Sequence, residues 1–157
     1  HQGLAIDEPL PSITVQNAQG QTVKLPEDFK GKVLLIKFWS LDCHFCDKNS
    51  FFALETLYQK YKTRGFVVLS VNVGEMDKTD ERWKKLLAPI SYPLLVDEKG
   101  LAAKNMGVIG LPTTFVVDSA GVVQKKLTGE GKIADYEELF TPFLSQGETN
   151  ENKSSQP

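Results

Sequence analysis

A nearly continuous apolar run, Val33-Leu34-Leu35-Ile36-Lys37-Phe38-Trp39, leads through Ser40-Leu41-Asp42 into Cys43-His44-Phe45-Cys46. A run of this kind fits a strand buried on both faces, as in a parallel sheet covered by helices. It is interrupted by Lys37 and is far shorter than the roughly 20 residues needed to cross a bilayer. The two cysteines are the only ones in the chain. A strand that delivers a Cys-x-x-Cys pair onto the first turn of a helix suits dithiol–disulfide chemistry. Two sulfurs at this spacing close a small ring, the first attacks, and the second resolves the mixed disulfide.

The rest of the chain supplies a sheet and helices around that strand. Leu10 to Val23 reads as two short strands about Asn17-Ala18-Gln19-Gly20, a hairpin signal. From Cys43 to about Tyr61 the pattern is helical, with Phe51, Leu54, Tyr58 and Tyr61 on one stripe and Gly65 as a stop. Phe66 to Val73 is a second buried strand, and Asp77 or Thr79 caps a helix carrying Trp83, Leu86 and Leu87 before Pro89. Tyr92 to Asp97 is a strand, and Leu101 to Met106 a short helix stopped at Gly107. Thr113 to Val117 and Val122 to Leu127 form a second hairpin, and Asp135 to Leu144 a closing helix. The order β-β-β-α-β-α-β-α-β-β-α gives an α/β fold, a mixed sheet flanked by helices.

A length of 157 residues fits one domain, assigned to 10–144, with an N-terminal extension at 1–9 and a polar, aperiodic, disordered tail at 145–157. A net charge of -2 gives no electrostatic case for nucleic acid or anionic lipid as a partner. The chain opens at His1 without an initiator methionine, so it reads as a trimmed or mature form whose signal or anchor lies outside this sequence.

The thiolate is the nucleophile, and a free thiol is only about 3% ionised at pH 7. At a helix start the free N–H groups and the macrodipole favour the anion. Cys43 is therefore assigned as the attacking sulfur and Cys46, one turn in and more buried, as the resolving one. Three blander uses compete. A structural disulfide in so small a ring removes little chain entropy. A zinc site wants four ligands, and beyond the two cysteines the chain offers only His44 and His1 as histidines. The pair can also mark a domain kept only for binding.

Trp39-Ser40-Leu41-Asp42-Cys43-His44-Phe45-Cys46 resembles the Trp-x-x-x-Cys-x-x-Cys motif of the thioredoxin fold, and Ile109-Gly110-Leu111-Pro112-Thr113-Thr114-Phe115 resembles its cis-proline loop. The run from Gly31 to Trp39, the segment Val71-Asn72-Val73-Gly74-Glu75, the N-terminal hairpin and the helix–strand insertion around Asp77 to Leu95 resemble the TlpA/ResA branch. The resemblance covers about Leu10 to Leu144. It implies an extracytoplasmic thiol–disulfide oxidoreductase, periplasmic or anchored facing outward, of a kind that often serves as a reductant in cytochrome c maturation. It implies protein thiols and disulfides as substrates, a membrane-bound electron donor, and no cofactor beyond the redox-active Cys43–Cys46 disulfide. It also implies that Pro112 is cis against the sulfurs, where the N–H and carbonyl of Leu111 are free to pair with an extended substrate.

The chain departs from the family pattern at three positions. Asn49 stands where an acid is usual, Phe51 where a helix-kinking proline is usual, and Lys37 where thioredoxin has a buried aspartate. Both usual proton-handling carboxylates are therefore missing. Asn49 offers hydrogen bonds only, and Lys37 either acts as a cation near Cys46 or buries its stem and sends its amine to solvent. His44, when protonated, favours a thiolate at its neighbour and so a more oxidising disulfide. Phe45 and Trp39 are candidate apolar contacts for substrate, with core packing the alternative for Trp39. Asp42 reads as a solvated residue near the helix start. The competing functions are a general oxidant or isomerase, a non-catalytic binding module, and a peroxidase. The last expects Pro-x-x-x-Thr-x-x-Cys, where this chain has Ile36 and Ser40.

Overall fold

The computed structural model describes residues 6–145. Residues 1–5 of the expected extension and 146–157 of the expected tail lie outside the described residues. Seven strands form one sheet: β1 Ile13–Asn17, β2 Thr22–Leu25, β3 Val33–Trp39, β4 Phe66–Val73, β5 Leu94–Asp97, β6 Thr113–Val117 and β7 Val123–Thr128. Their spatial order is β2-β1-β5-β4-β3-β6-β7. β3 lies parallel to β4, and β4 parallel to β5; the remaining pairs are antiparallel. Element order and sheet type agree with the sequence reading.

β3 explains much of this arrangement. All seven of its residues are buried, and both of its edges are taken, from Val33↔Phe66 to Trp39↔Asn72 on one side and from Leu34↔Val117 to Phe38↔Thr113 on the other. Successive side chains point to opposite faces. Val33, Leu35 and Trp39 join one core cluster, while Leu34, Ile36 and Phe38 join the other. Lys37 shares the parity of Leu35 and Trp39.

Helices cover both faces. α1 Ser50–Tyr61, α2 Glu81–Leu87 and α4 Ile133–Phe140 bring Phe51, Leu54, Leu57, Trp83, Leu86, Tyr136 and Phe140 to the first face. α3 Leu101–Asn105 brings Ala102 and Ala103 to the second. The α1 stripe includes Leu57, which the sequence reading omitted, while Tyr58 is only half-buried. Gly65 ends the turn after α1 with φ 77°, a left-handed conformation that favours glycine. The cap of α2 is Asp80, whose carboxylate accepts the Arg82 N–H, rather than Asp77 or Thr79. Asp77 is occupied locally, accepting from the N–H and hydroxyl of Thr79.

α4 is fixed by aromatic packing. Phe140 stacks on Phe66 of β4 with ring centroids 3.8 Å apart, and Tyr61 of α1 meets Phe140 edge-on at 5.2 Å. Truncation of a fully buried phenylalanine costs roughly 3–5 kcal/mol. Phe140→Ala is therefore expected to lower the unfolding free energy by about that amount in a urea titration. A loss below about 1 kcal/mol would show that α4 does not depend on this contact.

Candidate active site

Cys43 and Cys46 are joined as a disulfide with Cα atoms 5.4 Å apart, within the usual range. Cys43 is half-buried and Cys46 buried. The pair does not sit on the first turn of a helix, which corrects the sequence expectation: α1 begins only at Ser50. The cause is competition for backbone donors. An α-helix needs each N–H to reach the carbonyl four residues back. Here the Asp47 N–H donates to Glu130 Oε2 at 2.7 Å, and the Cys46, Ser50 and Phe51 N–H groups close four-residue turns onto the carbonyls of Cys43, Asp47 and Lys48. The Asn49 N–H donates to the Asp47 carboxylate. The cysteines therefore occupy a loop of successive turns. Because a macrodipole acts within about the first helical turn, Cys43 receives little of it.

The Leu111–Pro112 bond is cis. Cys43 Sγ lies 3.5 Å from the Leu111 carbonyl oxygen, which places the first sulfur against this loop. Around them stand His44 and Phe45, both exposed, Phe45 to 82%, and Leu111, half-buried above a buried Pro112. Ile109 at the loop's start is 94% exposed and adds apolar surface to the cis-proline loop.

Two candidates are placed elsewhere. Trp39 is fully buried, edge-on to Phe51 at 4.5 Å and to Trp83 at 5.7 Å, so it packs the core and does not reach a substrate. Its parity on β3 turns it under α1 and α2. Asn49 is exposed and makes no capping bond, so its side chain is not aimed at the buried side of the loop. The turns before Ser50 displace it from the inward-facing position that an unbroken helix would give it. Asp42 is exposed and ion-paired to Arg82 at 3.0 Å, which offsets a like charge beside Cys43.

Beneath the loop lies Lys37, a candidate from the sequence, among partners that the sequence does not disclose. Lys37 is 1% exposed, so its amine does not reach solvent. Its Nζ donates to Ser50 Oγ and to Glu130 Oε1, the latter at 2.8 Å, and lies 5.3 Å from the Tyr136 ring centroid. The Tyr136 hydroxyl donates to Glu130 Oε1 at 2.8 Å, and Ser50 Oγ donates to the Asp47 carbonyl at 2.7 Å. Burial lowers the Lys37 pKa from the ordinary 10.5, opposed by Glu130 and then Asp47. Burial chiefly, with the bond to Glu130, raises that of Tyr136. A lysine in the middle of a buried strand signals that a counter-charge exists. Its partner, however, lies 93 positions away. Among the described residues, no group of three or more His, Cys, Asp or Glu side chains is placed to hold a metal ion.

Residues 6–126 match the model of the AhpC/TSA family. The chain is 31% identical over 142 residues to the thiol-disulfide oxidoreductase ResA of Bacillus thuringiensis subsp. konkukian, covering 88% of this chain and 80% of that protein. It is 31% identical over 140 residues to ResA of Bacillus subtilis, covering 87% and 76%. A crystal structure from Chlorobium tepidum, described as a thiol:disulfide interchange protein DsbE, superimposes with a TM-score of 0.73 at 32% identity, covering 87% of this chain and 94% of that one.

The depressed pKa of Lys37 has a consequence for stability. Between its folded value and 10.5, the unfolded chain binds a proton at this amine that the folded chain does not, so this contribution to stability rises with pH across that window. Lys37→Met removes it. The unfolding free energy of the parent minus that of the variant is expected to increase as the pH rises toward 10.5 in parallel urea titrations. A flat or falling difference would show that burial does not lower the Lys37 pKa.

Proposed function

The chain belongs to the AhpC/TSA family and is a thioredoxin-like thiol–disulfide oxidoreductase of ResA type, and from that premise we propose that it works as a specific extracytoplasmic reductant of protein disulfides, with Cys43 attacking and Cys46 resolving. The observation that carries the assignment is the unequal exposure of the sulfurs: Cys43 is half-buried beside the cis-proline loop, and Cys46 is buried.

In the reduced protein the Cys43 thiolate attacks one sulfur of a substrate disulfide. A Cys43–substrate bond forms and the other substrate sulfur leaves as a thiolate, taking up a proton. Cys46, deprotonated, then attacks Cys43 Sγ; the mixed disulfide breaks, and the second substrate sulfur leaves. Two electrons pass to the substrate and the Cys43–Cys46 disulfide is restored. A membrane-bound dithiol donor would return the electrons. The extended substrate segment lies along Leu111 and Pro112, with Phe45 and Leu111 giving apolar contact and His44 a polar one.

The reducing direction is supported by the placement of Cys43. A disulfide is strongly oxidising when its reduced form is stabilised. Here Cys43 precedes the helix by several turns of loop and lies against a carbonyl oxygen, an acceptor. The resemblance to the TlpA/ResA branch supports a role such as the reduction of the Cys-x-x-Cys-His haem-attachment site in cytochrome c maturation.

Two outcomes are expected. A redox titration against glutathione places the pair near the potential of thioredoxin, about −270 mV, whereas a value near −120 mV would identify an oxidant. Cys46→Ser, mixed with an oxidised Cys-x-x-Cys-His peptide, accumulates a mixed disulfide at Cys43 that mass spectrometry resolves, and Cys43→Ser accumulates none. An adduct on Cys46 in Cys43→Ser would reverse the assigned roles.

A further inference from the structure

Glu130 stands where three donors converge. Its Oε1 accepts from Lys37 Nζ and from the Tyr136 hydroxyl, both at 2.8 Å, and its Oε2 accepts from the Asp47 N–H at 2.7 Å. Asp47 directly follows the resolving Cys46. One carboxylate thus ties together a central strand, α4 and the redox loop, from a position just beyond β7. Lys37 closes the circuit through Ser50, whose hydroxyl reaches the Asp47 carbonyl.

We propose that Glu130 is the positioning residue of the redox loop and that, as the counter-charge of Lys37, it sets the reduction potential of the Cys43–Cys46 pair. The inference rests on the oxidoreductase reading above. It accounts for a chain that lacks an acid at both 37 and 49 yet holds a charged pair bonded to the residue that follows Cys46. The groups that face Lys37 are Ser50 of α1, Tyr136 of α4, Glu130, and Asp47 of the redox loop, with Ser70 and Thr114 beside it on β4 and β6. Of these, only Glu130 and Asp47 carry negative charge.

The two partners act on the sulfurs with opposite sign. Reduction creates thiolate character in the loop that this pair anchors. The ammonium favours it and the carboxylate opposes it. Glu130→Gln leaves the cation uncompensated, so the thiolate is stabilised and the disulfide becomes more oxidising. Lys37→Met leaves the anion uncompensated, and the disulfide becomes more reducing. The glutamine side chain is also nearly isosteric but accepts at one end only, so it cannot serve the donors that meet both carboxylate oxygens. A purely structural role would loosen the same loop in both variants and move both potentials the same way.

The test is a glutathione redox titration of the parent, Glu130→Gln, Lys37→Met and Glu130→Asp, together with the pH profile of alkylation of the reduced proteins. Glu130→Gln is expected to raise the potential and lower the midpoint of the pH profile. Lys37→Met is expected to do the reverse, each changing the equilibrium constant about tenfold, or ~30 mV. Glu130→Asp keeps the charge and is expected to stay within about threefold of the parent, well inside that ~30 mV. Near-ultraviolet circular dichroism verifies that each variant is folded, and Glu130→Asp carries the comparison if Glu130→Gln is not. Shifts of the same sign in Glu130→Gln and Lys37→Met, or none in either, overturn the proposal, as does a Glu130→Asp potential displaced as far as that of Glu130→Gln. If the parent itself reduces no protein disulfide, the functional reading has failed instead.

Discussion

The structure depends on the enclosure of β3. Hydrogen-bonded along both edges and buried on both faces, this strand leaves no side chain a route to water. Six of its residues are apolar, and burying them drives the layers together. The seventh, Lys37, must bring a counter-charge into the protein with it. A buried ion pair adds little net stability, yet removing one partner costs about 3–5 kcal/mol. Glu130 is therefore bound to its position as firmly as Lys37 is.

From that pair follows the shape of the redox loop. Glu130 takes the Asp47 N–H that an unbroken helix would direct to the Cys43 carbonyl. The helix is delayed to Ser50, and the cysteines are held in turns. The exposure of the two sulfurs differs because the loop runs from the cis-proline contact at Cys43 down into the core at Cys46.

Most of the fold was legible from hydrophobic periodicity and turn chemistry. The seven strands and four helices fall where apolar runs and Gly, Pro and Asn punctuation place them, and the Cys-x-x-Cys disclosed the reaction class. What escaped was tertiary. The Cys-x-x-Cys spacing places the helix start at Cys43, whereas the apolar stripe begins only at Phe51, and a carboxylate 83 positions away competes for the backbone between them. Trp39 drew attention through its motif, although strand parity alone assigns it to the same buried face as Leu35. Lys37 stands out in its apolar strand, but its partner does not, because Glu130 belongs to a Gly-rich connection with no periodicity of its own.

This fold makes two chemically identical cysteines unequal, Cys43 half-buried beside the cis-proline loop and Cys46 buried. Limited alkylation of the fully reduced protein with substoichiometric iodoacetamide, followed by peptide mapping, measures this directly. The account predicts that the label falls on Cys43 while Cys46 stays free. Equal labelling, or label chiefly on Cys46, would contradict it.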